Sequence, residues 1–248
     1  MSGHSKWHNI RLKKGKMDAE RGAKFTKLAR EIIVAAKAGG ANPDANLRLR
    51  LAIQKARENS MPADKIKNAV QRGTGEIDGA AFEELIYEGY GPGGVALLVE
   101  CATDNKNRTV ADVRSIFTKH GGRLGETGSV SYLFGPQVGL IEIAAGATDE
   151  DTLLGVALEA GAEDVKTVDG GFEVLVSPGD MAAVTEALAT AKITTESAEI
   201  TMIPLNSVHV AGKEAQQVIK MIDLLEEHDD VQRVHTNVDI SEEDIEAA

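Results

Sequence analysis

The sequence predicts a multidomain α+β protein in which an N-terminal helical bundle is followed by two α/β domains, one of them a ferredoxin-like domain inserted in the other. Three observations support this fold class. Apolar residues recur at helical spacing, with Gly and Pro breaks, as far as about residue 73. Short runs rich in Val, Ile and Leu follow Gly75. Between residues 138 and 204 the predicted elements have the order β-α-β-β-α-β, which is typical of the ferredoxin-like split motif.

Gly and Pro delimit three helices in the first part of the chain. They are predicted over Phe25–Ala36 with Gly39-Gly40 as the stop, from Asn42-Pro43 to about Asn59, and from Pro62 to Gly73. Asn42 can cap the second helix, and Pro43 is tolerated in its first turn because the missing N–H would have no helical partner. The three helices make a small bundle, preceded by an arm without an apolar period.

Strands and helices alternate in the rest of the chain. In order, we predict strand Val95–Cys101, helix Thr109–His120, strands Val130–Phe134 and Val138–Ile143, helix Asp149–Ala160, strands Asp164–Val168 and Phe172–Val176, helix Gly179–Ala191, strand Ser197–Ile203, a helix near Lys213–His228 and an alternating apolar pattern from Val234 to Ile240. Thr148 with Asp151, and Ser177 with Asp180, are capping-box patterns. The acidic segment Ser241–Ala248 is predicted to be a frayed, solvated end.

The count of elements predicts three domains. Residues 1–80 form the basic arm and helical domain, and residues 136–205 form the ferredoxin-like domain. Residues 81–135 and 206–248 are each too small to close an α/β layer alone. We therefore expect them to join into one domain that carries 136–205 as an insertion.

Charge is distributed unevenly along the chain. Residues 1–80 carry a net charge of +9, whereas residues 81–248 carry −21, within a total of −12. A basic block at one end can neutralise phosphates locally even though the whole protein is acidic. Nucleic acid is therefore the expected partner, and residues 1–80 are its expected contact surface.

Bulk features favour a cytoplasmic protein with no membrane association. No apolar run approaches the ~20 residues needed to span a bilayer. The N-terminus lacks the apolar region of a secretory signal, and the single Cys101 cannot form an internal disulfide. Because Cys101 ends the apolar run from Val95, we predict that it is a buried small hydrophobe and not a nucleophile.

Motifs for cofactor or catalytic chemistry are weak. The glycines from Gly89 to Gly94 match the spacing of a dinucleotide fingerprint, but they lead into a strand where that chemistry requires a helix, so a tight connection between strands is predicted. His4 and His8 have no third ligand close by in the sequence. The carboxylates show no pattern that distinguishes a general acid from a solvated face. We therefore expect no cofactor, no metal, no catalytic residue and no enzymatic activity.

Candidate nucleic-acid contacts lie in the arm and on the first two helices. Those in the arm are His4, Lys6, Trp7, Arg11, Lys13, Lys14 and Lys16. Those on the helices are Arg21, Lys24, Lys27, Arg48, Arg50, Lys55 and Arg57. Residues 1–30 have a net charge of +7, which is more one-sided than a solvated face usually is. Trp7 either packs on the bundle or stacks on a base, and the sequence leaves both open.

Several segments resemble the YebC/PmpR family, whose mitochondrial relative activates translation of a cytochrome oxidase subunit. The similar segments are Ser2–Ile10, Phe25–Ile32, Arg48–Arg50, Tyr87–Val95, Thr103–Asn105 with Asn107–Thr109, and Gly128–Phe134. The resemblance covers essentially the whole chain. It implies one helical and two α/β domains and a role in the control of gene expression, and it implies no settled catalytic residues.

Within that role two functions compete. Members of the family are described as DNA-binding transcriptional regulators, and some as ribosome-associated translation factors that act at difficult sequences such as proline runs. We expect a non-enzymatic DNA-binding regulator, with the ribosomal RNA-associated factor as the alternative. A small-molecule sensor rests on fold analogy alone, and an enzyme acting on nucleic acid lacks a metal cluster or P-loop. The sequence leaves the oligomeric state and the target sequence open.

Overall fold

The computed structural model describes residues 21–168 and 170–246, which divide into two compact units. One unit comprises residues 21–132 and 208–246, and the other comprises residues 133–207. Their elements in chain order are α1 (Arg21–Gly39), α2 (Leu47–Glu58), α3 (Ala63–Gly73), β1 (Glu83–Tyr90), β2 (Ala96–Thr103), α4 (Lys106–Lys119), β3 (Arg123–Leu124), β4 (Phe134–Ala144), α5 (Glu150–Glu159), β5 (Ala162–Val168), β6 (Gly171–Val176), α6 (Met181–Thr190), β7 (Ser197–Pro204), β8 (Val208–His209), α7 (Gly212–Glu227), β9 (Val231–Thr236), β10 (Val238–Asp239) and α8 (Glu242–Glu246). The predicted α+β class is confirmed.

Helices α1 to α3 share one apolar core, which includes Ile32, Leu49, Ala56 and Ile66. The predicted start of the second helix at Asn42-Pro43 is wrong, because α2 begins at Leu47. Asn46 caps it instead: its buried side chain accepts a hydrogen bond from the Leu49 N–H at 3.1 Å. The same amide donates to the carbonyl oxygens of Ala35 and Gly40 at the end of α1. The side-chain amide of Asn46 thus caps both the end of α1 and the start of α2.

The larger unit contains a sheet of order β3-β1-β2-β9, with antiparallel pairing throughout. Helices α4 and α7 cover one face, and their apolar side chains pack with β2 into a second core. The residues of β2 are apolar on both faces because α1 packs against β2 and β9. Cys101, at 2% exposure, is buried as predicted.

The glycine-rich segment Gly89–Gly94 covers the end of β1 and the tight connection to β2, as predicted. Pro92–Gly94 form a 3-10 turn in which Gly93 has φ +68°, a conformation that favours glycine. The Gly91 N–H donates to the Val95 carbonyl oxygen at 2.8 Å and closes the connection. No helix follows these glycines directly, so they do not present a helix N-terminus to a pyrophosphate.

The strand predicted over Val130–Phe134 is wrong. Residues Ser131–Leu133 form a 3-10 turn, and β4 begins only at Phe134. The buried Glu88 carboxylate accepts hydrogen bonds from the N–H groups of Gly128, Val130 and Ser131 at 2.7–2.8 Å. Because these donors are held by a side chain, they are not available to a strand ladder.

Residues 133–207 contain a four-stranded antiparallel sheet of order β5-β6-β4-β7, with α5 and α6 in the connections. The predicted β-α-β-β-α-β order of elements is therefore present. Helix α5 is capped by Asp149, whose carboxylate accepts from the Thr152 N–H at 2.9 Å, and not by Thr148. At α6 the predicted contact between Ser177 and Asp180 is formed.

The predicted frayed end is wrong for residues 241–246. Glu242–Glu246 form α8, and Ile245 is 2% exposed in the core of the larger unit. The Asp244 carboxylate accepts a hydrogen bond from the Gly212 N–H at 2.9 Å, at the start of α7. The buried isoleucine and the cap both tie this acidic segment to the larger unit.

Candidate nucleic-acid interface

Exposed cations remain on the helical part of the larger unit after its core has formed. On α2, the buried residues Leu49, Ala52, Ile53 and Ala56 face the bundle, and the exposed residues Arg50, Lys55 and Arg57 lie away from it. On α1, Lys24 is exposed. Arg50 and Arg57 are two helical turns apart, so they lie on the same side of α2, about 10 Å from each other along the axis.

Arg48 differs from the other cations of α2 because carboxylates hold it. Its Nε lies 2.9 Å from Glu31 on α1, and its terminal nitrogens lie 2.6 and 3.1 Å from the two oxygens of Glu84 on β1. Burial opposes the charged guanidinium, but the hydrogen bonds to Glu84 and Glu31 outweigh burial and raise the pKa of Arg48. Its geometry is a bidentate clamp between α2 and the sheet.

Lys27 is also occupied within the protein. Its ammonium group donates to the backbone carbonyl oxygen of Glu226, in the last turn of α7. A cation at this position favourably meets the negative end of the helix dipole. Burial lowers the pKa of Lys27 to about 8, and the nearby charges of Glu226 and Asp229 offset only part of that effect.

Asp230 is the centre of a polar network that sequence reasoning missed. Its carboxylate is 1% exposed and accepts from the Arg30 guanidinium at 2.7 Å and from the Arg108 guanidinium at 2.8 Å. The hydroxyl groups of Thr103 and Thr109 also donate to it, at 3.1 and 2.7 Å. Burial alone would raise the pKa of Asp230, but these hydrogen bonds and charges outweigh burial and lower it.

The network explains part of the family-like motif around residue 105. Asn105 caps α4 by accepting from the Arg108 N–H at 3.1 Å, and this places Arg108 and Thr109 beside Asp230. In this chain Asn105, Arg108 and Thr109 of the motif therefore stabilise the fold. Spacing along the sequence does not reveal the partner, because Asp230 follows Arg108 by more than a hundred residues.

The remaining predicted contacts lie where no side chain is described. His4, Lys6, Trp7, Arg11, Lys13, Lys14 and Lys16 are outside the described residues. Arg21 is the first residue of α1, and its side chain is not described. Three further cations were not in the predicted set, although they are exposed on α3: Lys65, Lys67 and Arg72. A count of basic residues on the third helix would have found them.

A groove of about 500 Å³ lies between α1 and α3 and includes two aromatic rings, Phe25 and Phe82. The Lys65 ammonium lies 5.3 Å from the centre of the Phe25 ring, and the Arg30 guanidinium lies 5.3 Å from the centre of the Phe82 ring. Both distances are within the range of cation–π contacts. We call this feature the α1/α3 groove.

A metal-binding cluster and a membrane-spanning helix are both absent from the described residues. Within residues 21–168 and 170–246, no group of three or more His, Cys, Asp or Glu side chains could hold a metal ion. None of the helices in the same ranges is long and apolar enough to cross a membrane.

Comparison with known proteins gives two family matches that together span most of the chain. Residues 5–76 match the TACO1/YebC protein N-terminal domain, and residues 82–238 match the TACO1/YebC second and third domain. A solved structure of a conserved hypothetical protein from Aquifex aeolicus is similar, with a TM-score of 0.80 and 48% identity, over 92% of this chain and 93% of that chain.

Curated relatives are similar over their full length. A protein of Geobacter sulfurreducens is 54% identical over 99% of both chains, and one of Chloroherpeton thalassium is 55% identical over 99% of this chain and 98% of its own. Each is named a probable transcriptional regulatory protein. The resemblance found in the sequence is thereby confirmed, and this chain belongs to the TACO1/YebC family.

Proposed function

We propose that this protein is a non-enzymatic, DNA-binding regulator of transcription, which contacts phosphates through the basic arm and the exposed cations of α1 and α2. The observation that carries the proposal is the exposure of Lys24, Arg50, Lys55 and Arg57 in the part of the chain with a net charge of +9. Phosphate contacts of this kind supply affinity without base identity. The names of the curated relatives agree with a regulatory role.

Not every predicted contact contributes equally under this proposal. Arg48 and Lys27 already have acidic or carbonyl partners, and a phosphate would have to displace them. Arg50 and Arg57 are exposed and have no acidic or carbonyl partner to displace among the described residues. We therefore assign phosphate binding chiefly to Arg50 and Arg57, and we assign Lys27 and Arg48 to holding the helices in place.

Ribosomal RNA is the alternative target. The connection between α2 and α3 has four residues, 59–62, so only the connection between α1 and α2 argues against a helix-turn-helix. The loop between α1 and α2 has seven residues, 40–46, whereas a helix-turn-helix uses a turn of three or four. In this alternative the acidic remainder, with a net charge of −21, stays away from the RNA and only the basic end inserts.

The three-domain division belongs to the same proposal. We propose a helical domain at 1–80, an α/β domain made of 81–135 and 206–248, and an inserted domain at 136–205. Pairing of β2 with β9 supports the joining of the two distant segments, because these strands come from either side of the insertion. The complete four-stranded sheet within 133–207 supports independent folding of the insertion.

The test is the salt dependence of binding to a DNA duplex and to a ribosomal RNA fragment. Four to six phosphate contacts predict a log–log slope of about −4 to −5 for the duplex. The double variant Arg50→Gln, Arg57→Gln should reduce that slope by up to about two units. Its matched control is Lys213→Gln, Lys220→Gln, which removes two exposed cations from α7.

Equal effects of the two double variants, or affinity that does not change with salt, would contradict the proposal. The comparison of the two probes separates the targets, because a transcriptional regulator should prefer the duplex. The distribution of the native protein among ribosomal, nucleoid and free fractions of a low-salt cell extract distinguishes the same two targets.

A further inference from the structure

We propose that the α1/α3 groove binds one unpaired nucleotide of a nucleic-acid strand, with the base against Phe25 and Phe82 and the phosphate beside Lys65 and Arg72. This proposal rests on the proposed function, and it adds a subsite that recognises an unstacked base. The side chains that carry it are Phe25, Arg30, Lys65, Asn68, Arg72 and Phe82.

The size and lining of the groove fit a nucleotide. Its volume of about 500 Å³ is within the range of small-ligand sites. The two phenylalanines are half-buried, so neither residue is fully enclosed by the protein. Aromatic rings accept any base by stacking, and the side-chain amide of Asn68 can pair with a base edge.

The charge of the groove selects an anion. The described residues that line it include three cations, Lys65, Arg72 and the Asp230-paired Arg30, and no carboxylate. Lys65 and Arg72 are exposed and lie two turns apart on α3. Among the described residues neither is paired with a carboxylate, so a phosphate can bind beside both without displacing one, in contrast to the situation at Arg48.

Charge also argues against the protein's own arm as the occupant. Residues 1–20 contain five Lys and Arg and two acidic residues, so their net charge is +3. Placing this segment against three cations would bring like charges together. A nucleic-acid strand brings the opposite charge, so it is the complementary occupant.

The test compares a duplex that carries a single bulged 2-aminopurine with the fully paired duplex of the same sequence. We expect the full-length protein to bind the bulged duplex at least tenfold more tightly and to quench the fluorescent base by stacking. The double variant Lys65→Gln, Arg72→Gln should lose that preference. Lys67→Gln removes an exposed cation from the same helix outside the groove, and it should retain the preference.

Phe25→Leu isolates the stacking contribution. It keeps an apolar side chain against the bundle core, and we expect a loss of about 5- to 150-fold on the bulged probe with little change on the paired one. If this variant does not fold, the charge variants still decide the question, because Lys65 and Arg72 are exposed.

Three results would overturn the inference. Equal affinity for both probes, with a normal salt dependence, would remove the groove and leave the proposed function intact. Failure to bind either probe or the ribosomal RNA fragment would remove both. Trp7 is the only tryptophan, so its fluorescence reports on the arm. An emission that is blue-shifted in the wild type and moves to the red in Phe82→Leu, while binding of the bulged duplex is unchanged, would show that the arm fills the groove.

Discussion

Replacing Asp230 by Ala should destabilise the larger unit by about 3–5 kcal/mol, because it removes the acceptor of a buried charge network. The Arg30 side chain is 12% exposed, so the substitution leaves a guanidinium that water reaches poorly. The hydroxyl groups of Thr103 and Thr109, on buried residues, lose an acceptor at the same time. Arg108 contributes less to the loss because it is nearly half exposed and keeps Asp104 at 2.9 Å.

The measurement is thermal and urea unfolding at pH 7, followed by circular dichroism. For a unit of this size, 1 kcal/mol corresponds to about 2–4 °C, so the Tm of the larger unit should fall by roughly 6–20 °C. Asp229→Ala is the control, since the adjacent side chain is exposed. A loss below about 1 kcal/mol in the Asp230 variant would refute the account of the network.

Lowering the pH should reduce the difference in free energy of unfolding between the wild type and the Asp230→Ala variant. The pKa of Asp230 is lowered in the folded protein, so the unfolded chain takes up a proton first as the pH falls. The stabilisation from Asp230 is therefore complete above its unfolded pKa of about 3.9 and is lost as the pH falls through the folded value. Unfolding curves at pH 7 and pH 3 test the sign, and a difference that grows in acid would contradict it.

Three further predictions concern the arm and the inserted segment. Substitution of Lys13 and Lys14 by Ala should leave the Tm unchanged, weaken binding and reduce the salt slope by up to about two units, as isothermal titration over a salt series would show. Trp7→Ala should weaken binding by about 1–3 kcal/mol at constant Tm if Trp7 stacks on a base, but should lower stability by about 3 kcal/mol or more if it packs on the bundle. Residues 136–205 expressed alone should unfold cooperatively in urea, and a disordered fragment would contradict the proposed insertion.

Local signals in the sequence predicted most elements but not the ones that tertiary contacts decide. The sequence pattern predicted Asn42 as the cap of the second helix, whereas Asn46 caps it in the structure. Asn46 prevails because its amide also reaches Ala35 and Gly40 on α1. Such a bond between helices has no periodic signature. The same reason applies to Glu88, which captures the N–H groups of a predicted strand from forty residues away.

The sequence predicts the region of the candidate site but not the role of each residue in it. The charge of residues 1–80 indicates where phosphates could bind, because net charge depends on composition alone. It does not distinguish Arg48, which is clamped by Glu31 and Glu84, from Arg50, which is exposed. The α1/α3 groove escaped notice because Phe82 comes from the segment after the bundle.

The ends of the 133–207 segment lie side by side. Phe134 is the partner of Pro204 in the pairing of β4 with β7, and the Leu205 N–H donates to the Leu133 carbonyl oxygen at 2.8 Å. The polypeptide therefore leaves this segment where it entered. For protein engineering, residues 133–207 could therefore be replaced by a short Gly-Ser bridge or by a reporter domain with adjacent termini. The replacement would be joined at the same two points without stretching the flanking chain.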